Sequence, residues 1–316
     1  MTSKTTEKLG TSAQDLESAA SILASGGLVA FPTETVYGLG ADACDDTAVA
    51  KIYAAKGRPS FNPLIAHMAS RQAAEKYVEF NEPADRLAAA FWPGALTLVL
   101  PIRADAGISK LVTAGLNTLA VRVPNHPVGN ALLMASDMPI AAPSANPSGR
   151  VSPTTADHVL SGLFGKIDAV VDGGPCTVGL ESTIISCVAE PALLRAGGVP
   201  TEAIEACLGS KLLRQETAET PMAPGQLASH YAPLGSVRLN AKAINPDETL
   251  LGFGPVETDF NLSPSGDLLE AAANLFGCLH QLDAAGIEKI AVSPIPQHGL
   301  GAAINDRLKR AAAPRH

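Results

Sequence analysis

The chain has 316 residues, 46% of them hydrophobic and only 17% charged, which is enough apolar material for two cores. Its formal charge of −8, from 23 Lys plus Arg against 31 Asp plus Glu, argues against stable nucleic-acid binding as the main task, because that binding rests on neutralising phosphates. Five cysteines, an odd number with no Cys-x-x-Cys pair, speak against a disulfide framework or a zinc site. No apolar run approaches the ~18 residues of a membrane span. The polar start, Met1-Thr2-Ser3-Lys4, lacks the apolar core of a secretion signal, so a cytoplasmic protein is expected.

Residues 12–25 read as an opening helix, with Ser12 and Asp15 at capping-box spacing, Leu16, Ala19, Ile22 and Leu23 on one face, and Gly26-Gly27 to stop it. A strand at 28–31 follows. A helix over 46–56 starts at Asp45-Asp46-Thr47, gathers Val49, Ile52 and Tyr53 on one side and ends at Gly57. Lys56, Arg58 and Asn62 then cluster at the junction with an apolar strand over 64–68 that carries His67. Further strands are predicted at 96–100, 118–123, 169–172, 183–188 and 192–195, with helices at 83–91, 127–136, 154–163 and 201–208. Their unequal spacing predicts a mixed, twisted sheet flanked by helices, not a simple parallel array. No Gly-x-Gly-x-x-Gly follows the first strand, so the dinucleotide fingerprint is missing.

Between about 209 and 235 the pattern dissolves into a linker composition. It resumes with strands at 237–239, 250–253 and 290–292 and helices near 267–284 and 302–312, which reads as a smaller βαβ unit. Gly299-Leu300-Gly301 at its last helix offers either an ordinary turn or an anion seat at a helix N-terminus.

The chain has no Gly-x-x-x-x-Gly-Lys-Ser/Thr, His-Glu-x-x-His or Gly-x-Ser-x-Gly. What it offers is Ser, Thr, Asn, Lys and Arg at strand ends, which suits catalysis by positioning and charge stabilisation, as nucleotidyl transfer requires. Lys56 and Arg58 supply charge-assisted donors for a polyphosphate; read alone, they equally fit the basic end of a capped helix.

Several segments carry a resemblance when taken in order. They are Pro32-Thr33-Glu34-Thr35-Val36-Tyr37-Gly38, Lys56-Gly57-Arg58, Phe91-Trp92-Pro93-Gly94, Val121-Arg122-Val123-Pro124 and Pro143-Ser144-Ala145-Asn146-Pro147. Downstream come Asp172-Gly173-Gly174-Pro175, Leu180-Glu181-Ser182-Thr183, Ser229-His230-Tyr231-Ala232-Pro233 and Asn305-Asp306-Arg307-Leu308. Together they resemble the threonylcarbamoyl-AMP synthase family in its longer two-domain form. Ser186 stands where that family often has an acidic residue.

The resemblance implies an α/β fold with a YrdC/RibB-type twisted mixed sheet in a catalytic domain over 1–208. It also implies a linker and active-site lid over 209–235 and a Rossmann-like βαβ domain over 236–316. The implied reaction joins L-threonine, bicarbonate or carbon dioxide, and ATP into threonylcarbamoyl-adenylate, releasing pyrophosphate and serving tRNA modification. Mg²⁺ would arrive with the nucleotide, without a dedicated protein metal site. By motif match Lys56, Arg58, Ser144 and Asn146 form the catalytic and phosphate tetrad, with Asn62, Thr118, Ser152, Arg195 and Tyr231 around the rest of ATP. Thr35, His67, Arg122 and Ser182 match the threonine side, with Arg122 as partner of the amino-acid carboxylate. The segment 222–233, rather than the bulk of the second unit, is expected to complete the site. Two alternatives are an RNA-binding module using a patch near Lys51, Lys56 and Arg58, and a carbamoyl-transfer enzyme of hydrogenase maturation. The latter resembles chains with cysteine-rich zinc motifs that this sequence lacks.

Overall fold

The computed structural model describes residues 5–59, 62–214 and 230–314. Two sheets organise them. The first contains β1 (Glu7–Leu9), β2 (Val29–Phe31), β3 (Gly38–Asp42), β4 (Ile65–His67), β5 (Leu96–Pro101) and β6 (Thr118–Arg122). It continues with β7 (Ile140–Ala141), β8 (Ala169–Val171), β9 (Thr183–Ser186), β10 (Ala192–Arg195) and β11 (Leu213–Arg214). The order across the sheet is β1-β8-β2-β3-β7-β4-β6-β5-β9-β10-β11, with parallel and antiparallel neighbours mixed as the unequal spacing predicts. Around it lie α1 (Ala13–Ala24), α2 (Asp46–Lys56), α3 (Arg71–Ala74) and α4 (Glu82–Phe91). Then come α5 (Lys110–Thr113), α6 (Pro127–Ser136), α7 (Ala156–Leu163) and α8 (Thr201–Leu208).

Strand alternation builds two cores from one sheet. Leu28 and Ala30 face the core that holds Val49 and Ile52 of α2, Leu87 of α4 and Val159 of α7. Val29 and Phe31 face the other, with Leu16 and Leu23 of α1 and Leu132 and Leu133 of α6. Each of these large apolar side chains stabilises the fold by roughly 1.5–3 kcal/mol on burial. Local signals end the helices where the sequence places them. Ser12 and Asp15 form a reciprocal capping box, Asp45 accepts the Thr47 and Ala48 N–H groups, and Gly57 closes α2 at φ 59°.

The second unit has β12 (Ser236–Arg238), β13 (Thr249–Gly252), β14 (Phe260–Asn261) and β15 (Lys289–Val292), all parallel in the order β12-β15-β13-β14. With α9 (Leu268–Ala284) and α10 (Leu300–Ala311) it forms the smaller Rossmann-like layer. Leu275, Phe276, Leu279, Ile304 and Leu308 pack on Leu251, Ile290 and Val292. The N-terminus of α10 is already satisfied from within, because the Gly299 N–H donates to Glu202 Oε1 at 3.1 Å. The Gly299-Leu300-Gly301 turn thus holds a side-chain carboxylate of α8.

Strands β1, β3, β7, β11 and β14 lie outside the predicted set. For β3 the reason is Gly40, where a Cβ would meet Ile140 Cγ2 at 2.8 Å and the Val29 carbonyl oxygen at 3.1 Å. Close approach demands glycine there, and glycine hides the strand from propensity. The first sheet continues past residue 208 to β11, and 215–229, most of the expected lid, lie outside the described residues.

The two units meet at a stacked pair, His158 of α7 and His280 of α9, with ring centroids 3.8 Å apart. His280 Nε2 donates to the Ser152 carbonyl at 3.1 Å, and His158 Nδ1 accepts the Thr154 N–H at 3.3 Å. Burial, then His280, pushes His158 down to about 4, and burial also lowers His280; Asp157 and Asp283 oppose without reversing this. Lowered histidines bind fewer protons when docked. The contact is therefore fully stabilising above the ordinary value of 6.5 and is lost as pH falls from there toward about 4. Between pH 7.5 and 4.5 the melting temperature of the native chain should drop more steeply than that of His280→Phe. Equal slopes would locate the pH dependence elsewhere.

Candidate active site

The turn after β2 is set by Thr33, whose hydroxyl donates to the Val36 carbonyl at 2.7 Å and accepts the Thr35 and Val36 N–H groups at 3.2 Å each. It delivers Thr35 to Arg122, the last residue of β6. Arg122 Nη1 donates to Thr35 Oγ1 at 2.8 Å, Nε donates to the Gly94 carbonyl at 3.2 Å, and Nη2 lies 2.7 Å from Glu34 Oε1. His67 pairs in register with Arg122 across β4 and β6. Burial, then Arg122, pushes His67 down to about 3, so its imidazole is neutral. Ser182 completes this end, its hydroxyl 2.7 Å from Thr97 Oγ1, while Arg195 Nη2 donates to the Ser182 carbonyl at 2.8 Å.

The opposite end is built where α2 stops. Lys56 Nζ donates to the carbonyls of Ser144 and Asn146 and so ties the 144–146 turn to the helix end. Arg58 Nη2 donates to the Pro63 carbonyl at 3.2 Å. Both cations are buried, 4% and 8% exposed. Among the described residues their hydrogen-bond partners are carbonyl oxygens, not carboxylates. Burial, then Arg58, holds the Lys56 ammonium well below its ordinary pKa, and burial lowers Arg58 to about 10. Arg58 Nε, both ends of the Asn62 amide and Asn146 Oδ1 are buried without a protein partner among the described residues. Orphaned polar atoms of this kind cost about 1–3 kcal/mol each unless a ligand satisfies them.

The second unit reaches in from behind. Glu181 accepts the Ser152 hydroxyl at 2.5 Å and Arg307 Nε of α10 at 2.7 Å. Burial alone would raise the Glu181 pKa, but Arg307, Arg195 and the Ser152 hydroxyl outweigh it and lower it. Tyr231, at φ 61°, packs 4.1 Å from the His230 ring and 5.8 Å from Phe276 of α9, with the Arg307 guanidinium 5.1 Å from its centroid.

One cavity gathers eight of the residues read from the sequence. Arg58, Ser144, Arg195 and Tyr231 line one part; Thr35, His67, Arg122 and Ser182 line the other. Lys56, Asn62, Asn146 and Ser152 are buried and do not line that cavity: Lys56 supports the 144–146 turn, and Ser152 supports Glu181. Thr118 departs from expectation. It begins β6, opposite Pro101, roughly 13 Å along the strand from Arg122 at ~3.3 Å per residue. The RNA-module reading loses two of its three cations to the interior, Lys56 and Arg58, while the exposed Lys51 donates to the Gly26 carbonyl. His230 and Tyr231, from the end of the expected segment, line the cavity, and Arg307 and Phe276 of the second unit brace Glu181 and Tyr231 from behind without lining it. Sequence reasoning gave no role to Glu34, Glu181 or Arg307. All three lie in the motif segments, but nothing local shows that Glu181 pairs with a residue 126 positions away.

A mixed α/β sheet whose buried cations Lys56 and Arg58 bond carbonyl oxygens among the described residues, beside an Arg–Thr–Ser pocket, has the character of a nucleotide-handling transferase. Two family models match, one described as "Telomere recombination" over residues 21–197 and one as "Threonylcarbamoyl-AMP synthase, C-terminal domain" over 199–313. The chain is 42% identical to the threonylcarbamoyl-AMP synthase of Bacillus subtilis (98% of this chain, 96% of that one) and 41% identical to that of Pyrococcus abyssi (93% of each). It superposes on the structure of P. abyssi Sua5 complexed with L-threonine with a TM-score of 0.89, at 38% identity over 97% of each chain. The chain belongs to the threonylcarbamoyl-AMP synthase family.

Proposed function

We propose that this protein is a nucleotidyltransferase that makes L-threonylcarbamoyl-adenylate and pyrophosphate from L-threonine, bicarbonate or carbon dioxide, and ATP, for tRNA modification. The observation that carries this reading is the pair of buried cations, Lys56 and Arg58, without carboxylate partners among the described residues, beside a cavity whose other end presents Arg122, Thr35 and Ser182. The threonine ammonium loses a proton to solvent, the neutral amine attacks carbon dioxide, and a second proton leaves the nitrogen to give the carbamate anion. A carbamate oxygen then attacks the α-phosphorus of ATP; a new Pα–O bond forms as the Pα–O bond to the β-phosphate breaks, and pyrophosphate leaves. Both partners are anions, so fixed cations that need no reorganisation lower the barrier. Arg58 and the turn held by Lys56 receive the triphosphate, Arg195 and Tyr231 flank the rest of the nucleotide, and Arg122 holds the threonine carboxylate. His67, neutral by burial, hydrogen-bonds the substrate without competing for its carboxylate. Mg²⁺ enters with ATP, and the segment 209–235 closes over the site.

Both the carbamate and the mixed anhydride hydrolyse in open water, which gives closure a purpose. The labile product passes to the enzyme that transfers the threonylcarbamoyl group to tRNA. We assign the protein to the cytoplasm: its five cysteines are free, Cys44 on the surface, in keeping with a reducing compartment. No helix among the described residues is long and apolar enough to cross a membrane.

Incubation with ATP, bicarbonate and threonine tests the reading directly; release of pyrophosphate that does not depend on threonine would sink it. Replacing threonine separates the two recognition elements. A pocket that pairs the substrate hydroxyl should reject valine more strongly than serine, because unpaired buried partners cost more than one missing methyl, by about tenfold or more. Turnover of valine equal to that of serine would exclude a hydroxyl-reading pocket.

A further inference from the structure

We propose that Glu34 decides which anion the amino-acid end of the cavity accepts: by neutralising and orienting Arg122, it admits a single carboxylate and turns polyphosphate away. This rests on the reading that Arg122 receives the threonine carboxylate. The two ends of the cavity differ in one respect that the reaction makes important. At the α2 end, Lys56 and Arg58 face only carbonyl oxygens among the described residues, whereas at the β6 end Arg122 has a carboxylate 2.7 Å away. Both members of that pair are buried, Arg122 3% and Glu34 5% exposed, so solvent screens little of their mutual field.

Glu34 does not line the cavity, and it touches the substrate region only through Arg122; it is a positioning residue. Its own place is fixed, because Oε2 accepts the Asn125 N–H at 3.0 Å just beyond the end of β6. Nε on Gly94 and one Nη1 hydrogen on Thr35 engage two of the five guanidinium N–H groups; Nη2 lies against Glu34 as an ion pair without a hydrogen bond among the described residues, so three N–H groups remain. Free donors on a locally neutral pair suit the carboxylate of a zwitterionic amino acid. They do not suit a tri- or tetra-anion, which gains far more at Lys56 and Arg58, where no carboxylate pairs with either cation among the described residues. An enzyme with ATP and pyrophosphate in one continuous cavity needs such a sorting rule, since phosphate seated on Arg122 would block threonine.

The test follows adenylate formation chromatographically in the full-length native chain, Glu34→Gln and Glu34→Asp, with pyrophosphate as the inhibitor. In the native chain pyrophosphate should compete with ATP and not with threonine. Glu34→Gln should raise the KM for threonine by about tenfold, leave kcat within about threefold and the KM for ATP unchanged, and make pyrophosphate compete with threonine as well. Glu34→Asp retains the charge and should keep the native inhibition pattern. A native pattern in Glu34→Gln overturns the proposal, as does an equal loss in kcat and both KM values in the two variants, which marks a purely structural ion pair. Should the Gln variant fail to fold, Glu34→Asp decides: its longer gap to Arg122 should raise the threonine KM alone, and equal rises for ATP and threonine overturn the proposal. Two controls separate the underlying reading. A native chain without threonine-dependent adenylate removes the proposed reaction itself. An active native chain whose threonine KM survives Arg122→Lys removes the carboxylate from Arg122, and the sorting role with it.

Discussion

Arg58→Ala is expected to weaken ATP binding and slow adenylate formation by about ten- to a hundredfold, the loss of one charge-assisted contact of roughly 1.5–3 kcal/mol. Its effect on folding should be small, because it removes a buried cation whose hydrogen bonds among the described residues reach carbonyl oxygens. Lys56→Ala should cost at least as much activity, since Lys56 also holds the carbonyls of Ser144 and Asn146. Lys56 adds a signature that Arg58 lacks. Burial and Arg58 depress its pKa in the free protein, and an arriving triphosphate favours its charged form. ATP binding should therefore take up a proton, and affinity should fall as pH rises through the depressed value. Calorimetry in two buffers of different ionisation enthalpy reads that proton; the uptake should vanish in Lys56→Ala. Unchanged ATP affinity in both variants would return the two residues to the role of a helix end.

What could be read in the sequence follows how local its cause is. Helix α2 was legible from Asp45 to Gly57 because its cap, its apolar face and its stop act within a few residues. The parallel second sheet was legible as a βαβ pattern, with β14 the strand left out. Strand β3 was hidden because the packing of Ile140 and Val29 against Gly40 selects a residue that local propensity reads as a break. The site divides in the same way. Residue types at strand ends announced a polyanion site, but only the ordered resemblance assigned Ser144, His67 or Ser182 a part. Glu34 and Glu181 went unassigned because a carboxylate's function here depends on which arginine lies beside it, and Arg122 and Arg307 reach them through tertiary structure. Thr118 shows the converse: a motif match on a strand end that lies away from the cavity.

Arg307→Ala is expected to be the most damaging single change outside the cavity. Its side chain is fully buried and that of Glu181 only 8% exposed, so removing the guanidinium strands a carboxylate in the interior. Breaking a buried pair in this way costs about 3–5 kcal/mol, a large part of the 5–15 kcal/mol that holds a typical domain together. The damage should travel by two routes. Glu181 adjoins Ser182 and anchors Ser152, so the loop carrying the cavity loosens; and Tyr231, packed between Arg307 and Phe276, loses one wall. For the same reason a chain ending near residue 235 should regain no activity over one ending at 208, since it lacks both braces of Tyr231. The pair can be separated from the packing by replacing both partners. Glu181→Gln combined with Arg307→Met removes both buried partners, leaves Asp306 its contact with Arg310, and should recover part of the stability lost in Arg307→Ala. Chemical denaturation of the native chain, both single variants and the double variant measures the coupling. If the double variant is destabilised by the sum of the singles, the ion pair does not join the units, and the site depends on the second domain through apolar contact alone.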